Sequence, residues 1–172
     1  MLNLNDLKIK KMEINIHIEE YENVNELPER EQELVNQALG IIPNSYAPYS
    51  EFRVGAAVLL DNNEIVPGSN QENAAYPTGL CAERVALFYA NSNYPGVPVK
   101  SIAIAASTND GVTDDPIYPC GSCRQALMEI ENLHNAPIRV LMIGRKKLQA
   151  VNSIHDLLPL SFDSRFLTKK KI

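Results

Sequence analysis

At 172 residues the chain is long enough to bury one substantial core and short enough to be one domain. Hydrophobic residues at 45% and charged residues at 22% are the mix of a soluble globular protein. A formal net charge of −5 argues against duplex nucleic acid as a partner and leaves a small neutral substrate open. No apolar run approaches a membrane span, and the start, Met1 to Asp6, has neither the apolar core nor the cleavage site of a signal peptide. Lys169-Lys170-Lys171 is the one basic cluster and reads as a frayed solubilising tail.

Taken in order, Met12, Ile14, Ile16 and Ile18 alternate with Glu13, Asn15, His17 and Glu19, a period of two that predicts a half-buried strand at a sheet edge, with His17 in solvent. Pro28, Glu29 and Glu31 open a helix whose apolar face is Leu34, Val35, Ala38, Leu39 and Ile42, and Pro43-Asn44 stops it. Tyr46 and Tyr49, in the turn through Ser50, read on their own as core plugs ahead of a pocket wall. Residues 52–60 predict a strand buried on both faces, Asp61-Asn62-Asn63 a hairpin turn, and 64–68 the returning strand. A polar loop over 70–77 runs into a helix over 81–88. A loop over 91–98, a buried strand over 101–106, a loop over 108–118 and a helix from near Cys120 follow. The chain closes with strands over 138–143 and 148–151 and a short helix over 154–158; His134 and His155 are expected at the surface or in the core.

This order predicts an α/β fold, a mixed sheet flanked by helices in three layers. Right-handed crossovers would set the helices at Cys81 and Cys120 side by side on one face, with their N-termini meeting. Residues 1–27 stand as an N-terminal extension with an edge strand, ahead of one domain over 28–172.

All three cysteines fall in two motifs, Cys81-Ala82-Glu83 and Pro119-Cys120-Gly121-Ser122-Cys123. An odd, clustered set with no export signal points to thiolate chemistry in the cytoplasm rather than disulfides. Sulfurs at i and i+3 can share one ion, and Cys81 supplies a third. Three thiolates leave one corner of tetrahedral Zn²⁺ open for water, the layout of a catalytic site. Glu83 can face the ion without binding it and shuttle protons. Three thiolates and one Zn²⁺ sum to a charge of −1, so Arg84 and Arg124, each beside a motif residue, are expected to donate hydrogen bonds to the sulfurs and withdraw charge.

Three Cys/His ligands, a non-ligand Glu and Pro-Cys-x-x-Cys are the signature of zinc base deaminases. With Tyr46-Ala47-Pro48-Tyr49-Ser50-Glu51-Phe52, Asn70-Gln71-Glu72-Asn73, Cys81-Ala82-Glu83-Arg84, Pro119 to Gln125 and Leu157 to Phe162, the chain resembles the small homo-oligomeric cytidine deaminases of nucleoside salvage over about residues 28–167. That resemblance implies zinc held by Cys81, Cys120 and Cys123, with Glu83 as acid and base. It implies ribose bound by Asn70 and Glu72, the pyrimidine packed on Phe52, and the base read by the backbone of Ala74 and Ala82. It also implies Phe162 reaching a neighbouring subunit's pocket in a homotetramer or homodimer. The expected reaction is hydrolysis of cytidine or 2′-deoxycytidine to the uridine nucleoside and ammonia, with a nucleoside preferred over the free base. The rivals are a deaminase of a cytosine nucleoside antibiotic, a non-catalytic zinc-stabilised module, and an editor of cytosine in nucleic acid, which the acidic charge disfavours.

Overall fold

The computed structural model describes residues 10–167; the basic tail lies outside them. A mixed sheet forms the middle layer. Its strands are β1 (Glu19–Tyr21), β2 (Arg53–Leu60), β3 (Ile65–Ser69), β4 (Val99–Thr108), β5 (Gly111–Val112), β6 (Arg139–Ile143) and β7 (Leu148–Val151). The spatial order is β1-β7-β6-β4-β2-β3, and β5 pairs with the end of β4. Among these strands only β4 and β6 pair in parallel; the other strand pairs are antiparallel.

Among the described residues, three α-helices cover the sheet: α1 (Glu29–Ile41), α2 (Ala82–Asn93) and α3 (Gly121–His134). Pro28 caps α1, acids occupy its first turn, and Leu34, Val35 and Ala38 are buried against the sheet. Alternate residues of the strands feed the two faces, as the period of a strand requires. Ala57, Leu59, Ala103, Ala105 and Leu141 pack with α1. Ala56, Val58, Ile102, Ile104 and Val140 pack with α2 and α3, which lie together on the opposite face.

Two glycines let helices approach strand backbone closely. A Cβ on Gly55 would overlap the Ala38 carbonyl oxygen of α1, and one on Gly68 would meet Ala86 N of α2 at 2.5 Å. Since β3 and β4 both run antiparallel to the strand between them, β2, they are parallel to each other. The helices that follow them, α2 and α3, therefore both start at the same end of the sheet. This is where a βα crossover places ligand-binding groups.

The N-terminal segment differs from its sequence pattern. The strand expected over 12–18 forms instead at Glu19–Tyr21, where it does take the sheet edge beside β7. Met12, Ile14, Ile16 and Ile18 are all exposed, so no buried face rewards their alternation. β1 is fixed by Arg139, whose Nη2 donates to Glu19 Oε2 at 2.7 Å and to the Tyr21 hydroxyl at 2.9 Å, while its Nε lies 3.1 Å from Glu31 Oε1 of α1. The expected loop over 108–118 contains β5, and the expected short helix at 154–158 is a single 3-10 turn, Ile154–Asp156. No helix among the described residues is long and apolar enough to cross a membrane.

Candidate active site

Cys81 is the N-cap of α2 and Cys120 the N-cap of α3, each with extended backbone, and Cys123 lies in the first turn of α3. Convergence of the two helix starts brings the sulfurs together. Cys81 Sγ and Cys120 Sγ are 3.8 Å apart, Cys120 Sγ and Cys123 Sγ 3.5 Å, and all three lie within 4.8 Å of one another. Tetrahedral zinc, with bonds of about 2.3 Å to sulfur, separates its sulfurs by about 3.8 Å. The donor set therefore fits zinc in both chemistry and spacing.

The sulfurs share their protons unequally. A hydrogen bond from Cys123, aided by the Arg84 guanidinium, pulls the Cys81 thiol down to about 5 against the opposing effect of burial. As the donor of that bond, and itself buried, Cys123 is pushed up. A divalent ion bound by the three sulfurs would displace the protons they share. Arg84 Nη2 stands 3.8 Å from Cys81 Sγ. Arg124 is occupied differently: its Nε donates to the Pro119 carbonyl and its Nη1 to the Leu157 carbonyl, both at 2.8 Å. It ties the Cys120 loop to the 154–158 turn.

Glu83 is only 4% exposed, yet it lines the same cavity as Cys81 and Cys120, a cleft of about 600 Å³. Burial pushes its carboxyl up, and the neighbouring Cys81 thiolate adds to the rise. Phe52 and Val54 bring apolar surface into the cleft from the start of β2, and Asn70 and Glu72 bring polar groups from the loop after β3. Asn70 acts as a backbone mimic beside β2: its Oδ1 accepts from Val54 N at 2.8 Å and its Nδ2 donates to the Phe52 carbonyl at 2.9 Å. One lone pair and one N–H of the amide remain for a ligand. Glu72 accepts from Tyr49 N at 2.9 Å, Ser50 N at 3.3 Å and the Ser50 hydroxyl. The Ser50 hydroxyl first, then the Tyr49 amide, holds its carboxyl below the usual carboxylate range.

Ala82 is fully buried in the first turn of α2, and Ala74 is exposed in the loop before it; neither lines the cleft with its side chain. Phe162 lies away from this cleft, more than half exposed, stacked on Phe166 with its carbonyl accepting from Gln125. Tyr46 and Tyr49 are not core plugs: both are about half exposed, and Tyr49 lines the cleft edge-on to Tyr76. Ile117 and Tyr118, from the stretch read as plain loop, complete the wall beside Cys120. Their place directly before the Pro-Cys motif is the signal that could have found them.

A family profile described as the cytidine and deoxycytidylate deaminase zinc-binding region matches residues 28–135. The chain belongs to that family. It is 41% identical over 99 residues to a cytidine deaminase of Halalkalibacterium halodurans, covering 58% of this chain and 70% of the relative. It is 35% identical over 138 residues to a cytidine deaminase of Sporosarcina psychrophila, covering 80% and 94%. The crystal structure of cytidine deaminase from Burkholderia pseudomallei superposes with a TM-score of 0.66 at 34% identity, covering 76% of this chain and 97% of that one.

Proposed function

We propose that the residues of this cleft divide between them the hydrolytic deamination of cytidine and 2′-deoxycytidine to the uridine nucleosides and ammonia. The observation that carries this is a buried acid, Glu83, opening into the same cleft as three sulfurs spaced for zinc. Cys81, Cys120 and Cys123 hold the ion. When bound, zinc is a Lewis acid that makes water nucleophilic near neutral pH. Arg84, beside Cys81, offsets part of the thiolate charge.

Glu83 accepts one proton of the attacking water as its oxygen bonds to C4 of the base, and delivers that proton to N3. The same carboxyl then takes the second proton, from the new C4 hydroxyl, and delivers it to the amine as the C4–N bond breaks and the C4 carbonyl forms. Its raised pKa suits both duties, since a group closer to neutrality gives and takes protons with less cost in either direction. Phe52 packs on the pyrimidine, and the backbone of Ala74 and Ala82 pairs with its polar edge. Asn70 and Glu72, with hydrogen-bonding capacity to spare, hold the ribose hydroxyls; a free base leaves them unpaired, which favours nucleosides. Arg124 supports the Cys120 loop from behind.

The working unit is a homotetramer or homodimer in the cytoplasm, in which the exposed Phe162 ring enters the cleft of a neighbouring subunit. The substrate is a small-molecule nucleoside rather than nucleic acid. Zinc analysis of wild type and Glu83→Gln, alongside ammonia release from cytidine, tests the assignment. Both proteins should carry zinc and only wild type should turn over; equal turnover by Glu83→Gln would remove the acid from its role.

A further inference from the structure

The cleft has a connection that begins outside the region matched by the family profile. Tyr118 lines the cleft two residues before Cys120, yet its ring is about half exposed. A half-exposed aromatic ring on a loop has to be held if it is to form a defined wall, and the bond that holds this one points away from the cleft. The Tyr118 hydroxyl donates to Gln149 Oε1 at 2.8 Å, on β7. Gln149 Nε2 in turn donates to Glu20 Oε2 at 2.7 Å, on β1. Lys147 Nζ lies 3.0 Å from the same Glu20 oxygen.

Glu20 and Gln149 are direct cross-strand partners in the antiparallel β1–β7 pair, so their meeting is set by the register of the sheet. β1 precedes residue 28, where the family profile begins to match. It is anchored independently through Glu19 and Tyr21 to Arg139. Because the hydroxyl is committed to Gln149, what Tyr118 offers the cleft is its ring.

We propose that the N-terminal strand β1 is part of the apparatus that shapes the substrate cleft: Glu20, acting through Gln149, fixes the Tyr118 ring as a substrate-binding wall. Glu20 and Gln149 are positioning residues and Tyr118 makes the contact. The proposal rests on the cleft being the nucleoside site described above. It assigns the N-terminal extension a part in ligand affinity that its distance from the sulfurs does not suggest.

The test is calorimetric binding of cytidine to zinc-loaded protein in the Glu83→Gln background, where affinity is read without turnover. Tyr118→Phe keeps the ring and removes its tether; Gln149→Ala removes the tether from the other side. Each should weaken cytidine binding by about three- to tenfold, the range of one lost neutral hydrogen bond. The double variant should be no weaker than the worse single, because both remove the same link. Glu20→Ala should give a smaller loss in the same direction, absent when Tyr118 is already Phe. In the active background, KM should rise by a larger factor than kcat falls. Unchanged affinity in both single variants, or losses that multiply in the double variant, would overturn the proposal. Cytidine that binds the Glu83→Gln protein while wild type releases no ammonia would overturn the deaminase assignment and leave the affinity comparison standing. Melting temperature and zinc content of each variant separate loss of the link from loss of the fold.

Discussion

The two faces of the sheet are built alike and used differently. On one, α1 packs on Ala57, Leu59 and Ala103, with Gly55 allowing the close approach. On the other, α2 and α3 pack on Ala56, Val58 and Ile104, with Gly68 in the corresponding role. Both faces bury apolar side chains through the same alternation, yet among the described residues only the second carries a cluster of sulfurs able to hold a metal. The difference lies in the helix starts. α1 opens on Pro28 with acids in its first turn, a favourable helix start without a metal-ligating side chain. α2 and α3 open on cysteines, at one end of the sheet, next to a buried carboxylate. Packing alone explains the first face, whereas the second also bears a constraint on where its helices begin.

The largest expected effect isolates the chemistry of the second face from its packing. Glu83→Gln should reduce kcat for cytidine by about 10²- to 10⁴-fold, as steady-state assays would read, while zinc content is retained. The two glycines then compare the faces directly. Gly55→Ala and Gly68→Ala should each cost about 2–3 kcal/mol by urea denaturation, since a methyl group meets backbone that cannot swing aside. The Ala82 carbonyl and Ala86 N crowd Gly68, so its substitution displaces the first turns of α2 and should also lower kcat in the folded protein. Gly55→Ala should leave the kcat of the folded fraction near wild type. Equal activity losses in the two variants would mean that α1 is coupled to the site after all.

A smaller effect is expected at Glu131, on α3 but far from the sulfurs at its N-terminus. This carboxylate is 5% exposed and accepts from Ile138 N at 2.7 Å, Ile154 N at 3.0 Å and the Ser153 hydroxyl at 2.5 Å. Glu131→Gln can keep one oxygen for both backbone N–H groups but puts an amide N–H where the Ser153 hydroxyl had a charged acceptor, and should cost about 1–3 kcal/mol in the same denaturation measurement.

The smallest effect belongs to the α1 face. Arg139 foremost, with the Tyr21 hydroxyl and the Asn152 amide, holds the Glu19 carboxyl at about 2, below its ordinary 4.5. A depressed carboxyl stabilises the fold above its unfolded value and ceases to do so as pH falls through the folded one. Wild type should therefore exceed Glu19→Gln in stability by a constant margin above pH 4.5, and the margin should vanish toward pH 2. Because the carboxylate is 40% exposed, solvent screening keeps that margin under about 1 kcal/mol.

How far these features were legible in the sequence follows from their range. The sulfur cluster and Glu83 were readable because two short motifs carry every donor, and the α/β order because its periods change cleanly from strand to helix. The strand at 12–18 was misplaced because alternation records only that two sides differ; pairing with β7 is what makes a strand, and that partner lies far along the chain. Tyr46 and Tyr49 looked like core because aromatic rings bury well anywhere, while their place at the rim depends on the loop after β3 folding back to meet them. Arg124 sits beside a cysteine of the cluster in sequence, but at its helix position the side chain reaches carbonyl oxygens. Glu131 and Tyr118 had no local signal of their bonds, since each partner lies on a different strand or turn.

The parallel course of β3 and β4, with β2 between them, also ties the sulfur cluster to the fold. Cys81 is held beside Cys120 and Cys123 by the docking of three strands and by the helices that follow them. An ion gripped by all three sulfurs therefore favours the assembled sheet, because an unfolded chain would have to close the 39-residue span between Cys81 and Cys120 to offer the same set.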